Sequence, residues 1–82
     1  MNIDTCPLSA LAVGESGRVA AVDVPGEMGR RLLELGLVEG GEVDCLFRSP
    51  AGDPTAYLIR GAVIALRCKD AAGVRVERRR ES

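Results

Sequence analysis

Met28-Gly29-Arg30-Arg31-Leu32-Leu33-Glu34-Leu35-Gly36-Leu37 decides how this 82-residue chain folds. Met28, Leu32 and Leu35 recur at i, i+4 and i+7, the spacing that puts them on one face of an α-helix. Glu27 stands just ahead, where a negative charge favours the helix dipole. Gly36 is placed to take the left-handed conformation of a C′ cap. Leu37 then falls at C″, able to pack back on Leu32 in a Schellman motif. The spacing predicts one short helix over 28–35 whose stop steers the chain into the core. Arg30 and Arg31 fall on the opposite face, with Glu34 at i+4 from Arg30 as a weak ion-pair partner.

Strand signals surround this helix. Before it, Arg18 to Val24 carries Val19, Ala20, Ala21, Val22 and Val24, with apolar groups on both faces. Such a run suits a strand buried on both sides or one with a bulge. Pro25-Gly26 closes it. After the helix, Glu39-Gly40-Gly41-Glu42 turns into Val43 to Arg48, where Val43, Cys45 and Phe47 alternate with polar neighbours. Ser49 to Pro54 is a loop by its turn residues. Ala56 to Arg60 and Ala62 to Leu66 read as two strands about Gly61, a residue suited to a tight turn or a barrel corner. Val74 and Val76 alternate with Arg75 and Glu77 in a last strand. Leu8 to Leu11 and Arg67 to Ala72 read as single helical turns, and Arg78-Arg79-Arg80-Glu81-Ser82 as a charged tail. The expectation is a mainly β fold: a small barrel of five strands, one helix and one or two helical turns. It forms a single domain over 1–82 with its core over about 8–77.

Size and composition narrow the function classes. A chain of 82 residues holds roughly 4–12 kcal/mol of stability, too little to maintain a deep, strained catalytic pocket. Eleven basic against twelve acidic residues give a net charge of −1, without the basic excess of a nucleic-acid binder. Ten of the eleven basic residues are Arg, the side chain suited to planar, bidentate protein contacts. Cys6, Cys45 and Cys68 are odd in number and far apart, and the chain has no His. Neither a disulfide scaffold nor a zinc site follows from such a set. Cys45 and Cys68 read as small buried hydrophobes. The first residues lack the pattern of a signal peptide, and no apolar run approaches the length of about 18 residues needed to span a membrane. These features predict a cytoplasmic protein with reduced thiols, no cofactor, no metal site and no direct membrane insertion.

Catalytic constellations are missing too. Nucleophilic catalysis needs Ser or Cys beside a base, usually His. Asp70 follows Cys68 at i+2, where two side chains on a helical turn point apart. The carboxylates scatter without the spacing of an acidic metal site. The glycines lack the Lys and the strand-to-helix context of a phosphate loop. The expectation is that the protein is not an enzyme and binds a partner.

Leu8-Ser9-Ala10-Leu11 followed by Gly14-Glu15-Ser16-Gly17-Arg18-Val19 resembles the opening of the FeoA family, ferrous iron transport protein A. Arg30-Arg31-Leu32-Leu33-Glu34-Leu35-Gly36-Leu37 resembles the family's most diagnostic stretch. Gly40, Val43, Pro50 to Pro54, Gly61, Ile64 to Arg67, Asp70-Ala71 and Val76 follow in order. Glu39 departs from the pattern, standing where such sequences often carry Pro. The resemblance implies an SH3-like barrel and a cytosolic accessory of FeoB, the membrane ferrous-iron transporter with a cytosolic G-protein domain. It supplies no catalytic residues. The family carries a metal-binding label, but a chain without His or clustered Cys is poorly equipped to hold iron tightly. Met28, Arg30, Arg31 and Tyr57 are the candidate partner contacts, because Met, Arg and Tyr are enriched in interfaces. The helix, the Pro50–Pro54 loop and the neighbouring barrel surface are the expected contact regions. Two other roles fit a small accessory barrel: activation of the partner's GTP hydrolysis by an inserted Arg, and a repressor-type regulatory module. Balanced charge and only two aromatic residues count against nucleic acid as the ligand.

Overall fold

Apolar alternation and turn chemistry place the elements close to where the sequence predicts them. The computed structural model describes residues 3–79. Strand β1 (Ile3–Pro7) leads through a 3-10 turn (Leu8–Ala10) to β2 (Ser16–Val22) and helix α1 (Gly26–Glu34). Strands β3 (Glu42–Arg48), β4 (Thr55–Ile59) and β5 (Ala62–Leu66), a one-turn helix α2 (Cys68–Ala71) and β6 (Val74–Arg79) complete the chain. All neighbouring strands are antiparallel, in the order β1-β6-β2-β3-β4-β5.

The mainly β expectation holds, with a sixth strand added. β1 is short, mixed in polarity and closed by Pro7, so no local pattern marks it. Pairing across the whole chain makes it a strand: Cys6 stands opposite Val76 and Thr5 opposite Glu77. The same pairing shortens the expected tail. Arg78 and Arg79 belong to β6, opposite Asp4 and Ile3. Arg78 donates hydrogen bonds to the Ala10 carbonyl (3.2 Å) and the Cys6 thiol (3.4 Å). Arg80 to Ser82 lie outside the described residues. Among the described residues β1 and β5 do not pair, so no ladder closes the sheet into a full barrel.

Two bulges decide which side chains enter the core. The register of β2 against β6 shifts between Val19 and Ala21. This selects the bulge over a strand buried on both faces, because Val19 is buried and Ala21 exposed. A second shift between Cys45 and Phe47 in β3 leaves Phe47 58% exposed, against its expected place on the inner face. A bulge adds a residue to one strand, and every side chain beyond it changes face.

The helix stop forms as its residues predict. Leu35 is the C-cap and Gly36 has φ +106°. The Leu37 amide donates to the Leu32 carbonyl at 2.9 Å, and the Gly36 amide to the Leu33 carbonyl at 3.1 Å, which is the Schellman pair. Leu32 and Leu37 are both fully buried and join Leu8, Leu11, Val43 and Val74 in the core. The inner face of α1 is narrower than its spacing predicts. Met28 and Leu35 each remain 37% exposed, because a small sheet covers only the middle of the helix.

Candidate interaction surface

Helix α1 and the β5–α2 segment face each other across an open groove of about 500 Å³. Leu32 forms its floor, and Met28 and Leu35 line the helix side. Ile64 and Leu66 of β5 supply the other apolar wall. Arg31 stands on the helix side, and Arg67 and Lys69 on the α2 side, with Asp70 the one acidic lining residue. The result is an apolar trough with a mainly cationic rim.

Local structure sets both walls. The Arg60–Gly61 pair has positive φ at both residues, 51° and 80°, the type I′ geometry that matches strand twist in a two-residue hairpin. This fixes β5 against β4, with Ile59 opposite Ala62 and Thr55 opposite Leu66. α2 begins at Cys68, whose amide donates to the Asp53 carboxylate at 2.8 Å. The Pro50–Pro54 loop, expected as a contact, therefore has a structural task, since its Asp53 caps the helix that carries Lys69 and Asp70. On the other wall, Gly29 lets α1 rest directly on the Val24 backbone.

The four predicted contact residues part company. Met28 and Arg31 line the groove, which corrects the expected place of Arg31 on the opposite helix face: at i+3 from Met28 it borders the apolar stripe. Arg30 is exposed on the outer side of α1, beside Glu27 and Glu34, and the expected Arg30–Glu34 ion pair does not close among the described residues. Tyr57 is a correction: only 1% exposed, it is a core residue, with its hydroxyl 3.5 Å from the Leu8 carbonyl oxygen. Position in the sheet outweighs residue type here, because Tyr57 falls on the face of β4 that packs into the core, alongside Cys45 of β3 and Ile64 of β5. Sequence reasoning missed Arg67 and Lys69. They lie more than thirty positions from Arg31, and only the tertiary fold brings them to the same groove.

The three thiols also separate. Cys45 is buried, Cys6 half-buried and Cys68 exposed, so Cys68 is not the buried hydrophobe expected of it. It stands at the first residue of α2, just beyond β5. Burial pushes the Cys45 thiol above its ordinary value, with the Arg48 guanidinium opposing and Glu15 reinforcing the rise. Burial likewise raises Tyr57, helped by the charge of Cys45. No three His, Cys, Asp or Glu side chains gather into a metal-binding group among the described residues. No helix among them is long and apolar enough to cross a membrane.

The family model for the FeoA domain matches residues 6–78. A fusion of Fe(2+) transport protein A with the Fe(2+) transporter FeoB, from Porphyromonas gingivalis, is 34% identical over 70 residues. That match takes in 85% of this chain but only 8% of the fusion protein's length. Among solved structures, the FeoA protein of Chlorobium tepidum is 33% identical with a TM-score of 0.84, over 88% of this chain and 69% of that one. FeoA of Stenotrophomonas maltophilia, a prokaryotic SH3 domain protein solved in complex with zinc, is 34% identical with a TM-score of 0.76, over 84% and 86% of the two chains. The expected SH3-like architecture is thereby met. A manganese-dependent transcriptional repressor, 23% identical with a TM-score of 0.78 over 88% of this chain and 40% of that one, shares the fold alone.

Proposed function

The chain belongs to the FeoA domain family, and on that premise we propose that it is a non-catalytic, cytoplasmic accessory of ferrous iron uptake, docking on the cytosolic part of a FeoB-type transporter. The observation that carries this reading is the Porphyromonas gingivalis relative, in which the two proteins form one chain. Fusion holds two modules at high effective concentration, an arrangement that favours partners working in contact. The groove between α1 and β5 supports the same reading. It combines exposed Met28 and Leu35 with Arg31, the apolar centre and Arg-bearing rim of a binding surface.

Pull-down and calorimetric titration with the transporter's cytosolic domain, in GTP-bound and GDP-bound states, test the proposal. Binding in at least one state is expected, weakened by Arg30→Ala combined with Arg31→Ala. Unchanged binding by that double variant removes the Arg pair from the interface. Absence of binding in both states removes the docking role itself.

A further inference from the structure

The outer edge of β5 is built for pairing. β5 ends the strand order, with β4 on one side and no strand on the other among the described residues. The two-residue turn at Arg60–Gly61 makes Ile59 and Ala62 a hydrogen-bonded pair. Bonded and non-bonded pairs then alternate along the hairpin. Ile64 and Leu66 therefore bond to Tyr57 and Thr55, whereas Val63 and Ala65 stand opposite Leu58 and Ala56 in non-bonded pairs. The N–H and C=O groups of Val63 and Ala65 point away from β4, toward the outer edge.

Proteins blunt exposed edges with charges, proline or bulges. Ala62-Val63-Ile64-Ala65-Leu66 has none of these, and its register against β4 is unbroken. The strand at the opposite end of the sheet, β1, carries both Asp4 and Pro7. The groove beside β5 offers apolar walls from Ile64 and Leu66 on one side and Met28 and Leu35 on the other. Arg31, Arg67 and Lys69 outnumber Asp70 around it.

We propose that this edge takes up an extended, acidic segment of the partner as an added β-strand, bonded to Val63 and Ala65. The inference rests on the docking role above and specifies its mode. Alternate side chains of the added strand enter the groove, apolar ones against its walls and carboxylates against its cationic rim. Pairing of β5 with β5 of a second copy is disfavoured by the same charges. It would bring two sets of Arg31, Arg67 and Lys69 together.

Amide hydrogen exchange on the full chain, alone and with the transporter's cytosolic domain, is the direct test. Protection of the Val63 and Ala65 amides is expected to rise by at least about tenfold in the complex. Val63→Pro and Ala65→Pro each remove an outward N–H that bonds to nothing in β4, so the fold should tolerate them at this edge. Each is expected to weaken binding by about tenfold or more, while Val63→Ala, which keeps the amide, binds as the parent does. A complex that forms with exchange at both amides unchanged overturns the proposal, whether or not the proline variants fold. Protection in the chain alone, accompanied by a dimer in sedimentation, also overturns it by assigning the edge to a second copy. If the parent chain does not bind the domain at all, the docking role fails before its mode is tested.

Discussion

Gly29 lies so close to Val24 that a Cβ on it would sit 1.7 Å from the Val24 carbonyl oxygen. The obstacle is backbone, which cannot rotate aside as a side chain end can. Gly29→Ala therefore forces α1 off the Val24 backbone that leads into it, at a cost of about 3 kcal/mol or more. Urea unfolding should show a large fall in midpoint, although alanine is by intrinsic propensity the better helix residue. A stability gain would mean that the contact is not maintained in solution.

Leu32→Ala and Leu33→Ala separate the two faces of the helix. Leu32 is fully buried, and its truncation should cost about 2–5 kcal/mol, a large share of the stability of a domain this small. Leu33 is 51% exposed, and its truncation should stay within about 0.5 kcal/mol. Equal effects in equilibrium unfolding would contradict the placement of α1.

Tyr57 should behave as a core residue. Tyr57→Ala empties a buried site and should cost about 3–5 kcal/mol. Tyr57→Phe keeps the ring and loses only a long hydrogen bond to Leu8, 3.5 Å, a change of about 1 kcal/mol or less. Partner affinity should not differ between Tyr57→Phe and the parent chain.

Thiol chemistry reports the same burial order. A disulfide reagent should modify Cys68 first, Cys6 more slowly, and Cys45 only on unfolding. The pH dependence follows from the raised thiol and phenol. Both groups hold their protons more tightly in the folded chain than in the unfolded one. Their contribution is complete below the unfolded thiol value of about 8.5 and declines above it, with Tyr57 adding to the loss beyond about pH 10. Urea midpoints measured between pH 7 and 10.5 should fall, and Cys45→Ala should flatten the first part of that fall.

Charge around the groove should appear in association kinetics. Arg31→Glu and Lys69→Glu each place a negative charge on the rim and should slow association with the transporter's cytosolic domain. The deficit should narrow as salt rises, because rim charges act over about 10 Å at 0.1 M ionic strength. Arg30→Glu, on the far side of α1, should have the smaller effect. The reverse ranking would move the interface to the outer face of the helix.

Near neighbours along the chain carry enough information to specify much of this protein. The i, i+4, i+7 spacing and the Leu35-Gly36-Leu37 stop define α1, because a helix and its Schellman cap are closed by residues within two turns of each other. Val43 and Cys45 mark a strand by alternation, and Gly61 marks the hairpin turn, also by local geometry. The ordered motifs were sufficient to identify the family resemblance. What the local patterns could not supply depends on distant partners. β1 exists because β6 pairs with it, Phe47 is outside because a bulge at Leu46 changes its face, and Tyr57 is inside because it shares the core-facing side of the sheet with Cys45 and Ile64. The groove likewise exists only in the folded chain. Helix α1 provides one wall, and β5 and α2, about thirty positions or more further along the chain, provide the other. Local hydrogen-bond geometry determined the elements; long-range packing decided which of their faces remained available for a partner.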